Sequence, residues 1–391
     1  MRLSLWITLA VLLLPGAAVL ARTDPPQHDP FDYLPQLGDD PTLSISSAAL
    51  SIRKTTTANT RYLLFSGGVQ VSTEGIELSA DEVELDIMAT DLADSDFKLP
   101  ALPDEVEHLV DDPGGVIAEM AGDLDLPSPK LTSALQRVGA RGSVVVKLEN
   151  FTLTTDTLVS TDGGRSWSTS GNSRLSGSDP ESGTALTLAM EHLLVDTETN
   201  RAIARGTVRC QIQQPQEEEI QISAESLEID LNQKLINVSD SLQIKRGSLL
   251  MTCGTFSANI EGNSVDAGGG PRLTDSERDI HAELGGIRYD LDTQELVAFG
   301  GVEITDESRD LSLRAGELRG NIVDQLFVAR GEPRVRYGSS TFEGKVITLR
   351  LLGDEKALVE VDGPQAAKIF VDELGDEDSS AQDPEVKTGR P

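Results

Sequence analysis

The chain has 391 residues and a formal net charge of −32, with 65 Asp and Glu against 33 Lys and Arg. A surface this acidic repels DNA, RNA and anionic membranes at long range, which argues against nucleic acid as a partner. Aromatic residues make up only 4%, too few for one deep core and better suited to a thin, stacked core of Leu, Ile and Val.

Residues 1–21 read as a secretory signal peptide. Arg2 supplies a positive start, Leu3–Leu14 is apolar apart from Ser4 and Thr8, and Pro15-Gly16 precedes Val19-Leu20-Ala21. Cleavage there starts the mature protein near Arg22; the alternative is an uncleaved inner-membrane anchor. Residues 22–42 are rich in Pro and Asp and predict a flexible leader. A β region spans 43–370, and its first clear unit is Tyr62–Val71. It is interrupted at about 91–135 by an acidic, Pro-rich insert. There Val106, Leu109 and Val110, then Val116, Ile117 and Met120, predict one or two short helices. Residues 371–391 predict a disordered acidic tail.

The β region repeats itself. In each unit an apolar run reaches a marker, an alternating run follows, and a polar turn leads to a second alternating run. The marker is Gly206, Asp240, Gly270, Gly301, Gly331 and Gly363, with weaker copies at Gly67, Gly142 and Gly171. About sixteen positions before four of these stands a small residue: Ala224, Gly254, Gly285 and Ala315. A period of roughly 30 residues signals a repeat architecture. At about 3.3 Å per residue it holds two strands and two turns and no helix. The chain is therefore all-β, built from repeated hairpins of ~30 residues as a sandwich, barrel or solenoid.

Catalytic and metal-ligating patterns are missing. His28, His108, His192 and His281 fall in a leader, an insert and two separate strands, and no HxH, HExxH, CxxC or GxSxG spacing occurs. The reading is a non-enzyme without metal or cofactor. Cys210 and Cys253 lie in neighbouring repeats, and a disulfide or two free thiols are the alternatives. Ser160, Asp162, Gly164 and Trp167 fit the S-x-D-x-G-x-[ST]-W Asp-box, a hairpin turn in which the Asp accepts backbone N–H groups. It is similar to the turns of sialidase-type propellers, which carry several copies; this single copy reads as a structural turn.

The recurring unit resembles the OstA-like repeat of the lipopolysaccharide-transport proteins, the LptA/LptC/LptD amino-terminal domain family. The residues that carry the resemblance are Gly67-Gly68-Val69 leading to Ile76–Asp86, Gly206-Thr207-Val208 leading to Ile220–Asp230, and Gly300-Gly301-Val302 leading to Leu311–Leu318. It implies an elongated antiparallel β-jelly roll, open along one side, in the periplasm. Its apolar interior would take the acyl chains of lipopolysaccharide or a similar amphiphile, and other jelly-roll transport components would join it by end-to-end strand pairing. The family's bridge component is about half this length, so the chain corresponds to a longer slide or two fused ones. The residues expected to line such a slot are Val208, Ile222, Leu242, Val302, Ile304, Leu311, Leu313, Val335 and Ile347; the alternative for each is a closed core, as in a structural or adhesive β-solenoid. Within Glu295–Tyr337 the alternation puts Val302, Ile304, Leu311 and Leu313 on one inner face and Glu303 and Ser312 on the other.

Overall fold

The computed structural model describes residues 42–54, 60–73, 76–88, 116–127 and 135–372, short connecting turns apart. Its strands begin with β1 (Thr42–Lys54), β2 (Thr60–Thr73), β3 (Ile76–Met88), β4 (Val116–Pro127), β5 (Leu135–Leu148) and β6 (Phe151–Ser160). Four short strands follow, β7 (Ser166–Ser170), β8 (Ser173–Ser178), β9 (Ala185–Met190) and β10 (His192–Asp196). Then come β11 (Arg201–Gln213), β12 (Ile220–Asp230), β13 (Leu235–Arg246), β14 (Leu249–Asn259), β15 (Ser264–Gly268) and β16 (Arg272–Asp275). The series continues with β17 (Ile280–Asp290), β18 (Glu295–Asp306), β19 (Leu311–Asn321), β20 (Leu326–Arg330) and β21 (Arg334–Tyr337). It ends with β22 (Ser340–Glu343), β23 (Val346–Leu351), β24 (Lys356–Asp362) and β25 (Ala367–Asp372). All join one antiparallel ladder, which has the form of an elongated all-β jelly roll.

The repeat marker is a corner. At Gly67-Gly68, Gly142-Ser143, Gly206-Thr207, Asp240-Ser241, Gly269-Gly270, Gly300-Gly301 and Gly331-Glu332, two consecutive residues adopt positive φ. Within the long strands each pair opposes a single residue of a neighbour, as Gly300-Gly301 opposes Gly285 on β17 and Gly316 on β19. Two residues against one is a β-bulge, which bends the strand and sharpens its twist. Each long strand therefore has an upper arm, such as Val302–Asp306 of β18, and a lower arm, such as Glu295–Phe299. Elsewhere the corner is a break between two strands, as between β15 and β16 or β20 and β21. Connectivity requires the bend. The segment from Pro127 to Leu135 reaches at most about 28 Å, while a straight strand of this length spans about 43 Å. Yet Pro127 stands opposite Thr42 at one end of the ladder's width and Leu135 opposite Ile87 at the other.

The inner faces of the two arms cover each other. Leu313 and Val335 of the upper arm and Ala329 and Ile347 of the lower arm belong to one buried cluster. A single sheet layer leaves one face wet, so burial this complete needs a second layer. Among the described residues the core falls into two large clusters, one from Ile45 to Leu158 and one from Leu188 to Val361, and a small one of Ala258 and Val265; Leu175 and Leu193 pack against both large ones.

Two expectations need correction. Val116, Ile117 and Met120 belong to strand β4 and not to a helix, because the long edge of β1 pairs with this segment along most of its length, apart from two register shifts. Strand β4 lies inside the expected insert, and β5 begins at Leu135 where the insert was expected to end, so the insert is only partly an excursion. The other helical stretch, Val106, Leu109 and Val110, lies outside the described residues, as do the signal segment and nearly all of the leader and tail.

Candidate functional site

The inner face of the upper arm carries an unbroken row of apolar side chains across the ladder. Register alone connects it, from Ile45 through Val71, Leu78, Val146, Leu153 and Leu175 to Leu188. It continues through Cys210, Ile222, Ile244, Met251, Leu273, Ala282, Ile304, Leu313 and Val335 to Phe342. At about 4.8 Å per strand such a row is about 75 Å long. The lower arm faces it with Phe256, Ala267, Ile287, Ala298, Leu318, Ala329 and Ile347, a large-small alternation that lets the two faces interlock.

Of the residues expected to line the interior, Val208, Leu242, Val302, Ile304, Leu313, Val335 and Ile347 are buried, while Ile222 and Leu311 are half-buried and pack on the same cluster. Ile347 is on the lower arm and the others on the upper. Glu303 points away from this face and pairs with Arg314 (Oε1 to Nη2, 2.6 Å). Partly exposed apolar residues that pack on the core stand near the strand ends: Leu186 and Leu311 on the upper arm, Ile236 and Leu291 on the lower. A depression of about 570 Å³ opens at a corner, where Gly254, Gly269 and Gly270 leave Leu242, Cys253 and Leu284 at its floor.

Beside that row, nearer the corner, hydroxyls replace apolar side chains midway along the ladder. Thr155, Thr169 and Ser173 are buried. Thr155 Oγ1 and Ser173 Oγ are 2.9 Å apart, Ser173 Oγ donates to Thr169 Oγ1 (2.8 Å), and the Leu193 N–H donates to the same oxygen (3.0 Å). They sit where the two core clusters meet. Sequence reading missed them, although threonine at inward positions of Phe151–Ser160 was the available signal.

The Asp-box closes the turn between β6 and β7. Asp162 accepts the Ser166 N–H (2.9 Å) and Ser166 Oγ (2.6 Å), Ser160 Oγ accepts the Gly164 N–H (2.9 Å), and Trp167 Nε1 donates to the Gly164 carbonyl (2.9 Å). The Ser166 hydroxyl and N–H hold the Asp162 carboxyl below the ordinary range. Similar turns recur at the lower-arm ends, where Asp196, Asp230, Asn259, Asp290 and Asn321 accept N–H groups two or three residues on.

Of the two alternatives for the cysteines, the structure has the free thiols, and Cys210 and Cys253 are both buried. β12 and β13 lie between their strands, so their Cα atoms are separated by at least about 14 Å, well beyond the reach of a disulfide. Burial pushes both thiols up to about 11. His192 and His281 are exposed on different strands, and among the described residues no three His, Cys, Asp or Glu gather to hold a metal.

No protein-family model and no curated protein matches the chain. Among solved structures it is similar to the crystal structure of LptH, the LptA-homologous periplasmic component of the lipopolysaccharide transport device from Pseudomonas aeruginosa. That likeness covers 27% of this chain and 71% of LptH at 15% identity, with a TM-score of 0.23. A likeness this partial carries no functional weight.

Proposed function

We propose that the protein is a non-enzymatic carrier that takes the acyl chains of lipopolysaccharide-like amphiphiles between its two arms and conveys them along the ladder. The observation that carries this reading is the unbroken apolar row from Ile45 to Phe342. An acyl chain lying along such a row gains about 0.8 kcal/mol for each methylene removed from water. The half-buried Leu186, Leu311, Ile236 and Leu291 mark the mouth through which it enters. The amino-terminal signal segment fits export to the periplasm, and among the described residues no helix is long and apolar enough to cross a membrane. Its partners are other jelly-roll components, met by strand pairing at the edges of the ladder.

A second reading, a structural β-solenoid with a closed core, is favoured by one observation. Ala329 and Ile347 are fully buried and Leu313 is 2% exposed, so the arms touch without a ligand. Titration with a fluorescent fatty acid separates the two. A carrier binds it saturably and loses affinity when Leu311→Glu places a charge at the mouth; a closed core binds none.

A further inference from the structure

One row on the outer face of the upper arm is charged at each of six successive strands. Register connects Arg272 of β16, Glu283 of β17, Glu303 of β18, Arg314 of β19, Arg334 of β21 and Glu343 of β22. Their side chains are 47–70% exposed. Three ion pairs cross between strands: Arg272 Nε to Glu283 Oε1 (3.3 Å), Arg314 Nη2 to Glu303 Oε1 (2.6 Å) and Arg334 Nε to Glu343 Oε1 (3.0 Å). The charges therefore run plus, minus, minus, plus, plus, minus. Strict alternation would give each inner member two opposite neighbours. Instead Glu283 stands directly opposite Glu303, and Arg314 directly opposite Arg334. Like charges in such positions destabilise a sheet.

These two repulsions have opposite sign and lie equally far from the seam between β18 and β19. Read backwards, the row is its own complement. A second copy laid on this face by a two-fold rotation about that seam brings its Arg334 and Arg314 over Glu283 and Glu303, and its Glu343 over Arg272. Two-fold interfaces are self-complementary in this way, and rotation keeps the hand of the sheet twist, so the two faces stay aligned. In the next outer row the same rotation sets Thr305 against Ser312, Thr274 against Thr341 and His281 against Arg336, so no two carboxylates meet in either row. The corners also favour this half of the molecule. The residues that face them are the exposed carboxylates Asp81, Asp156, Glu191 and Glu225 in the amino-terminal half. In the carboxy-terminal half they are Gly254, Gly285 and Gly316, which put no side chain in the way.

We propose that the outer face of the upper arm over β16–β22 docks a second copy of this chain, packed face to face about that two-fold. Six strands by five residues cover about 30 Å by 16 Å, or roughly 500 Å² a copy. That is below the ~800 Å² per partner of a standard interface, so the pair is transient. At about 150 mM salt the Debye length is about 8 Å, which screens most of the repulsion between two chains of net charge −32 but not contacts within the row. The surface lies outside the arms, so the inference depends neither on the amphiphile nor on pairing at the ends of the ladder.

Sedimentation velocity of the full-length protein at about 150 mM salt tests the proposal. The parent should self-associate with a Kd of about 10–100 μM. Glu303→Arg sets arginine against arginine across the axis, and Arg314→Glu sets glutamate against glutamate. Each alone should associate at least about tenfold more weakly. An equimolar mixture of the two should recover the parent's association, because the arginines of one chain then meet the glutamates of the other. Glu283→Arg and Arg334→Glu form a second such set at a different place on the row. A parent that stays monomeric to about 500 μM would overturn the proposal. So would association indifferent to the single variants, or folded variants whose mixtures stay monomeric.

Discussion

A Cβ built on Gly285 would stand 2.5 Å from the carbonyl oxygen of Gly300 and 2.8 Å from its Cα. The two backbones cross at a corner with no room for a side chain, and Gly254 with Gly269, and Gly316 with Gly331, repeat the arrangement. Gly285→Ala must push backbone against backbone, and we expect a loss of about 2–4 kcal/mol in denaturant unfolding. Gly301 differs: it needs positive φ (92°), but a Cβ there meets nothing within 4 Å. Since Ser241 adopts φ 56° at the equivalent second position of its corner, Gly301→Asn should cost less than about 1 kcal/mol and Gly301→Val clearly more.

The period and the corner positions were legible because a corner needs left-handed residues, which glycine supplies most cheaply. Gly254 and Gly285 were visible as small residues without the reason, which is the close backbone approach. Ala224 and Ala315 are instead inward neighbours of the residues that face a corner, Glu225 and Gly316. β4 was not legible: Val116, Ile117 and Met120 fit a helix as well as a strand, and only the distant edge of β1 decides between them. The state of the thiols stayed open for a related cause, since nearness in repeat number hid the two strands between Cys210 and Cys253.

Both thiols should resist alkylation in the native protein and react once it unfolds. Their folded values, about 11 against an ordinary value near 9, mean that burial as neutral thiols stabilises the fold fully below about pH 9. That contribution fades as pH rises through 11. Cys210→Ala and Cys253→Ala together should flatten this alkaline loss in unfolding midpoints measured from pH 8 to 11.

At low pH the sign reverses. Asp162, Asp196 and Asp290 are all held below the ordinary carboxylate range, by the Ser166 hydroxyl and the Thr199 and Thr293 N–H groups respectively. A depressed carboxyl stabilises the fold above its unfolded value, about pH 4, and the contribution is lost as pH falls through the lower folded value. The triple Asn variant should therefore match the parent in midpoint at pH 2 and fall below it at pH 6.

Thr169→Val leaves the half-buried Leu193 N–H and the buried Ser173 hydroxyl without their acceptor, which should cost about 1–3 kcal/mol. Thr169→Ser keeps the oxygen and should recover most of the loss. If valine stabilises instead, the hydroxyls are not a paired network and the division of the core at this point has another cause.

The most direct measurement of the carrier reading is site-specific photo-crosslinking to an acyl-chain ligand. Ile304 and Leu313 stand opposite each other on the inner row, 5% and 2% exposed. Glu303 and Ser312, one residue away on the same strands, point to the outer face. A crosslinker at Ile304 or Leu313 should capture the ligand and one at Glu303 or Ser312 should not. Equal capture on both faces, or none on either in folded protein, would contradict the carrier reading and leave a closed structural core.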